Sequence, residues 1–185
     1  MSGPEFTLPP ARVCFGVKGP RAADRLASRG IALPAMANSW CADDELLVAR
    51  LGASEFFLEE GAARGRLREL ELDLEEKTAG AGAGGSSGVY PVLRQDVGFL
   101  LSGERALDVL AEVCNVNFGD LDLASRPVVM TLMIGVAVLV VPQIVRAGTP
   151  CRYGIWCDPS FGAYLGESVG RVVIDCGGNY RGVST

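Results

Sequence analysis

The sequence predicts an α+β fold made of two related ferredoxin-like halves, each with an antiparallel or mixed sheet and helices packed on one face. Three observations support this prediction. The chain repeats itself, because Phe15–Ala27 (FGVKGPRAADRLA) and Phe99–Ala111 (FLLSGERALDVLA) share seven residue types at matching positions. Predicted strands and helices follow the same order in both halves. A glycine- and serine-rich segment at 79–88 separates the halves.

These observations divide the 185 residues into a first half at 12–78, a linker at 79–88 and a second half at 89–176. Residues 1–11 are expected to be an N-terminal extension, such as a tag remnant, and residues 177–185 a tail that frays. Two copies of a repeat are too few for a solenoid. The expected architecture is therefore one domain built from two related halves.

The first half contains three predicted strands: Arg12–Val17, Leu46–Leu51 and Phe56–Leu58. A helix signal follows the first of them, with Gly19 near the cap and Pro20 at the first helical position. Trp40 falls in the loop that follows this helix. The later leucines are ambiguous, because their spacing fits a helix while Leu70–Leu74 also alternates like a strand. We expect a short helix from about Ala62 and then a strand.

The second half contains five predicted strands: Tyr90–Leu93, Gly98–Leu101, Val128–Met133, Val136–Val141 and Arg152–Cys157. Ser102 is predicted to cap one helix, and Asp158-Pro159 to start another that ends at Gly177-Gly178. The Ile134-Gly135 pair favours either a hairpin or a strand with a bulge at Gly135. The continuous hydrophobicity around this pair predicts strands covered on both faces, or nearly so.

Composition excludes several classes of function. The formal charge is −5 and the 17 Lys and Arg residues form no basic stripe, which argues against nucleic acid as a partner. The absence of histidine means that Ser-His-Asp and Cys-His mechanisms cannot be completed within the chain. The longest apolar run has 14 residues, against roughly 20 for a membrane-spanning helix. The start of the sequence lacks signal-peptide features, so we expect a cytoplasmic protein.

Two sequence motifs are present in form only. Gly80, Gly82 and Gly85 match G-x-G-x-x-G, but no strand precedes them and no helix follows, so we interpret them as linker. Ser168 is the centre of a G-x-S-x-G that lies inside a predicted helix. The six cysteines form no C-x-x-C pair and indicate neither a zinc site nor a disulfide scaffold. We therefore predict no catalytic, cofactor-binding or metal-binding residue in this chain.

Two aromatic residues are predicted to be exposed. Trp40 and Tyr90 are either edges of the core or contacts with a partner. Protein interfaces favour aromatic residues, so both are candidate interface residues, and Trp40 is the stronger of the two.

A family resemblance rests on three segments of the second half. They are the Ser102-Gly103 junction of strand and helix, the apolar strand pair that begins at Val128, and Tyr153–Leu165, which runs from strand to helix. Together they resemble the folate-binding domain of the glycine-cleavage T-protein (aminomethyltransferase) superfamily. With its short length and its opening Phe15-Gly-Val-Lys-Gly-Pro-Arg-Ala-Ala, the chain looks most like the gamma subunit of heterotetrameric sarcosine oxidase. The small subunit of N-methylglutamate dehydrogenase is similar too.

The sequence departs from the family at one informative place. T-proteins carry Asp-x-Ser, with the Asp eleven residues before the glycine that corresponds to Gly103. Here those positions hold Val92 and Arg94, and Asp96 is four residues out of register. The resemblance therefore implies the fold, while the folate-handling carboxylate does not carry over.

What the resemblance implies is a non-catalytic small subunit of a sarcosine-oxidase-like complex that oxidatively demethylates an N-methyl amino acid. Larger flavoprotein subunits are the expected partners, and FAD, FMN, NAD and tetrahydrofolate are expected in those subunits. One alternative is a folate-dependent one-carbon transferase that uses Asp96 or Asp158 as its carboxylate. The other is a free-standing folate-fold assembly factor, whose cysteine motif has no counterpart near Cys151 or Cys157.

Overall fold

Residues 3–43, 46–80, 88–144, 149 and 151–182 are described by the computed structural model, without the side chains of 75–80. These residues fall into two units. The first unit is Pro10–Gln95, and the second unit combines residues 3–9 with 96–182. Each unit has its own sheet and its own hydrophobic core, which confirms the predicted α+β class.

The described residues form strands and α-helices in this chain order: β1 Glu5–Thr7, β2 Arg12–Lys18, α1 Ala22–Ser28, β3 Ser39–Asp43, β4 Leu46–Arg50, β5 Glu55–Gly61, α2 Arg66–Gly80, β6 Tyr90–Leu93, β7 Val97–Ser102, α3 Ala106–Val113, β8 Val129–Met133, β9 Val136–Gln143, β10 Arg152–Cys157, α4 Gly162–Asp175 and β11 Asn179–Arg181. Short 3₁₀ turns lie at Phe118–Asp120, Leu123–Ser125 and Pro159–Phe161.

The two sheets share one plan. The first unit has a five-stranded antiparallel sheet in the order β3-β4-β5-β2-β6, and the second a six-stranded sheet in the order β11-β1-β7-β10-β9-β8. Only β1 and β11 pair in parallel. In both units a strand and a helix are followed by three strands and a second helix. The place that β6 takes beside β2 is taken by β1 beside β7.

The repeated segment explains this correspondence at atomic detail. Gly19 and Gly103 have positive φ angles of +124° and +103°. A Cβ at Gly19 would lie 2.5 Å from the carbonyl oxygen of Gly88, shortly before β6. A Cβ at Gly103 would lie 2.6 Å from the carbonyl oxygen of Gly3, shortly before β1. Each glycine thus lets the backbone approach the segment that leads into the neighbouring strand.

The starts of α1 and α3 differ from the sequence prediction. Their first residues, Ala22 and Ala106, donate backbone hydrogen bonds to the carbonyl oxygens of Gly19 and Gly103 at 3.0 and 3.2 Å. Neither helix has a side-chain cap, and Ser102 is the last residue of β7. The prediction that Ser102 caps the helix was therefore wrong, because the repeated glycine carbonyl occupies that role.

The ambiguous leucine segment is one continuous helix. Leu67, Leu70 and Leu74 of α2 are all at most 3% exposed and belong to the core of the first unit. Leu72 is 45% exposed. The predicted strand after Ala62 was wrong, because only the helical period places three of these leucines inside and the fourth outside.

Three short strands were absent from the prediction. Trp40 lies in β3, which pairs with β4, and not in a loop. The predicted extension contributes β1 and the predicted tail contributes β11, and these two strands pair with each other. Of the predicted linker at 79–88, residues 81–87 lie outside the described part of the chain.

The apolar run of the second unit is a hairpin. β8 and β9 pair with Met133 opposite Val136, and the intervening Ile134 and Gly135 have φ angles of +49° and +79°. Two central residues with positive φ make the two-residue turn that matches strand twist. β9 is buried except at Ala137, but two residues of β8 are more than half exposed, so full coverage of both faces was only partly correct.

Candidate functional site

The position of the missing carboxylate lies on a cross-strand row of the first unit. Val92 of β6 pairs with Gly16 of β2, which pairs with Phe57 of β5. The row continues through Ala49 of β4 to Trp40 of β3. A Cβ at Gly16 would lie 2.8 Å from the Cβ of Val92, so the valine packs directly on the glycine backbone. This position offers an aliphatic side chain and no proton acceptor.

Arg94 stands where T-proteins have serine, and its guanidinium is engaged within the first unit. The guanidinium carbon lies 5.6 Å from the ring centroid of Phe57. Its Nη2 lies 3.7 Å from Oε1 of Glu55. An arginine held over an aromatic face and beside a carboxylate is a stabilising arrangement. The residues present at 92 and 94 do not fit the folate-handling role that the resemblance implies.

The two aspartates considered as replacements lie near one cysteine of the second unit. Cys157 is 2% exposed, and its pKa is raised to about 11 by burial and then by the charges of Asp96 and Asp158. The thiol is therefore protonated at neutral pH and is a poor nucleophile. Asp158 accepts a hydrogen bond from the backbone N–H of Ser160 at 2.9 Å. Hydrogen bonds from Ser160 hold the pKa of Asp158 below its usual range.

The role of Asp158 is structural in this arrangement. Its carboxylate caps the 3₁₀ turn at Pro159–Phe161 that runs into α4, as the sequence predicts. The contacts that engage it are those of a helix start, which favours the structural role over a catalytic one.

Sequence reasoning missed two buried carboxylates on β5. Glu59 is 4% exposed and its Oε2 lies 2.7 Å from Nε of Arg12. Glu60 is 2% exposed, and its Oε1 accepts a hydrogen bond from the backbone N–H of Leu67 at 2.8 Å. The predicted strand ended at Leu58 because two charged residues follow it. Both carboxylates serve the fold, one as an ion pair and the other at the start of α2.

The predicted interface residues are not brought together. Trp40 lies on β3 and Tyr90 on β6, which are the opposite edge strands of the five-stranded sheet. Tyr90 is 45% exposed and Trp40 is half-buried. Tyr90 and Val92 share a sheet face because strand side chains alternate. Their role at an interface stays a prediction.

The remaining motifs have structural explanations. Ser168 lies inside α4, as predicted. Gly166 and Gly170, which flank it, lie against the aromatic ring atoms of Phe99 and Tyr180, so they serve packing. All six cysteines are free. Gly80 ends α2, whereas Gly82 and Gly85 are outside the described residues.

Two wider searches of the described residues were negative. They hold no group of three His, Cys, Asp or Glu side chains that could bind a metal ion. None of the helices in this part of the chain combines the length and the apolar composition needed to cross a membrane.

Comparison with known proteins identifies the fold. A chain of heterotetrameric sarcosine oxidase from Corynebacterium sp. U-96, solved in complex with pyrrole 2-carboxylate, matches with a TM-score of 0.64 and 22% sequence identity. The match covers 92% of this chain and 82% of that chain. Glycine cleavage system aminomethyltransferase T from Bartonella henselae matches with a TM-score of 0.61 and 14% identity, over 91% of this chain and 45% of that chain.

No protein-family model and no curated protein sequence matches the chain. The likeness is therefore one of fold, shared with a sarcosine oxidase chain and with an aminomethyltransferase. Fold by itself does not assign an activity, so function has to be argued from the residues.

Proposed function

We propose that this chain is a non-catalytic small subunit of a sarcosine-oxidase-like complex that oxidatively demethylates an N-methyl amino acid. The chain contributes assembly and packing surface. Larger flavoprotein subunits carry the reaction, and FAD, FMN, NAD and tetrahydrofolate are bound by those subunits.

The observation that carries this proposal is the extent of the structural match. The chain covers 82% of the matched sarcosine oxidase chain but only 45% of the aminomethyltransferase. A protein of this size corresponds to nearly a whole chain of the first protein and to less than half of the second. The sarcosine oxidase is a heterotetramer, which supports partners of a different sequence.

The chemistry of the described residues supports the non-catalytic part. Val92 and Arg94 replace the Asp and Ser of T-proteins, and Arg94 is engaged by Phe57 and Glu55. The buried carboxylates Glu59 and Glu60 form structural contacts. A subunit that keeps the scaffold without the acid–base groups has this composition.

Isolation of the native assembly tests the proposal. The full chain carries an affinity tag in its own cells and is purified under mild conditions, then examined by native mass spectrometry and by flavin absorbance. We expect the chain to co-purify with larger flavoprotein chains, and the assembly to oxidise sarcosine or another N-methyl amino acid. The chain separated from its partners should be inactive. A chain that runs as a lone monomer contradicts the proposal.

A further inference from the structure

A groove beside α3 in the second unit is not explained by packing within the chain. It has a volume of about 560 Å³ and extends from α3 to the 3₁₀ turn at Phe118–Asp120. Its apolar wall includes Leu107, Val116 and Phe118. Leu107 is 42% exposed although it lies beside this wall. The groove can therefore bury an apolar group of another molecule.

The segment that forms the groove carries most of the net charge. Residues 104–125 hold five carboxylates and one arginine, which leaves four of the five net negative charges of the whole chain. The carboxylates are all exposed: Glu104, Asp108, Glu112, Asp120 and Asp122. The arginine, Arg105, is paired with Asp108 at 2.7 Å. Since the rest of the chain is nearly neutral, the negative potential is concentrated around the groove.

The charge pattern excludes several occupants. Among the described residues, Glu104, Asp120 and Asp122 form no ion pair with a cation. Their charges repel nucleic acid and anionic lipid. A second copy docked through the same patch would face an identical negative segment. These four charges favour a cationic partner, because complementary potentials steer association.

A small molecule is a poorer fit than a protein segment. Ligand pockets need polar groups that are available to orient the ligand. Asn117 lines the groove, but its Oδ1 accepts a hydrogen bond from the N–H of Gly119 at 3.1 Å and its Nδ2 donates one to Asp120 at 2.7 Å. The amide is used internally. What remains is an apolar wall with a negative rim.

We propose that this groove docks a cationic segment of a larger partner subunit. Lysine or arginine side chains of that segment lie against the rim carboxylates, and an apolar side chain between them packs on Leu107 and Phe118. The existence of the partner rests on the proposed function above, whereas the location of its contact rests on the groove and its charge.

The test uses the flavoprotein that co-purifies with the wild-type chain, separated and then rebound to purified full-length variants. Leu107→Ser removes the exposed aliphatic group. Asp120→Asn with Asp122→Asn removes two rim charges and keeps the side-chain oxygens that accept local hydrogen bonds. The matched control, Glu69→Gln with Glu167→Gln, removes two exposed charges outside the groove. Thermal melts followed by circular dichroism verify that each variant is folded.

We expect both groove variants to weaken rebinding by about tenfold or more, and the control by less than about twofold. Wild-type affinity should fall between about 50 and 300 mM salt, and the charge variant should lose part of that dependence. Folded groove variants that rebind like the wild type overturn the groove proposal and leave the proposed function standing. A wild-type chain that yields no flavoprotein overturns the proposed function, and the groove proposal with it.

Discussion

Gly103 is the residue whose replacement should disturb the second unit most for its size. Its φ of +103° lies where side chains are disfavoured, and a Cβ would meet the carbonyl oxygen of Gly3 at 2.6 Å. Its carbonyl oxygen accepts the first backbone hydrogen bond of α3. Backbone conformation, strand approach and helix start therefore depend on one position. The same three conditions hold at Gly19 in the first unit.

A comparison of two alanine substitutions separates these contributions. Gly135 also has a positive φ, of +79°, but a Cβ there would meet nothing within 4 Å. Gly135→Ala should lower the free energy of unfolding by about 1 kcal/mol through backbone strain alone. Gly103→Ala should cost at least about 3 kcal/mol, because the methyl group also displaces the segment before β1.

Urea unfolding of the two full-length variants measures this difference. Equal losses at the two glycines would mean that the close approach to Gly3 adds nothing to the conformational strain.

At the scale of elements, α1 and α2 are joined by charge as well as by leucines. The carboxylate of Asp73 in α2 pairs with both Arg25 and Arg29, whose side chains extend from α1 and its end. The side chains of Asp73 and Arg25 are only 15% and 19% exposed. Burial and the neighbouring Arg29 lower the pKa of Arg25. The carboxylate therefore offsets two neighbouring positive charges in a poorly solvated place.

Replacing Asp73 with asparagine should destabilise the first unit. The two arginines keep their mutual repulsion and lose their counter-charge, so Asp73→Asn should lower the free energy of unfolding by about 1–3 kcal/mol. The control is Glu71→Gln, which breaks the exposed 2.7 Å pair with Arg68 on the same helix. It should cost less than about 0.5 kcal/mol. Urea unfolding compares the two, and similar losses would contradict a special role for Asp73.

Elements formed by local periodicity were largely predictable, and elements formed by pairing were not. The hairpin follows from apolar strands around Ile134-Gly135, and the sequence already contains every part of it. α2 was ambiguous because the strand interpretation requires Leu72 inside, and only packing reveals that it is outside. β1 and β11 have three residues each and exist because they pair across the whole length of the chain. No local pattern records such a contact.

The candidate site divides in the same way. The replacement of the family's Asp and Ser by Val92 and Arg94 is visible in the sequence. The engagement of Arg94 by Phe57 and Glu55 requires the register of the sheet, which brings distant strands together. The burial of Glu59 and Glu60 was equally hidden, because charged residues after an apolar run usually indicate the end of a strand.

At the scale of the whole molecule, the fold is shared with an aminomethyltransferase while the residues at its folate position differ. The chain presents an aliphatic side chain and an engaged arginine where an acid would be needed. Its uncompensated carboxylates are concentrated instead in residues 104–125 of the second unit. A protein with this distribution of groups is suited to recognition by a partner more than to acid–base chemistry.

This distribution predicts that the full chain does not bind tetrahydrofolate by itself. Calorimetric titration of the purified chain should give no saturable heat, and Asp96→Ala should leave that result unchanged, because Asp96 and Asp158 act on the buried Cys157 thiol and at a helix start. An aminomethyltransferase T protein titrated in parallel provides the positive control. Saturable binding that is lost in Asp96→Ala would favour the one-carbon transferase, since the carboxylate would then have moved four residues along the chain while the fold stayed the same.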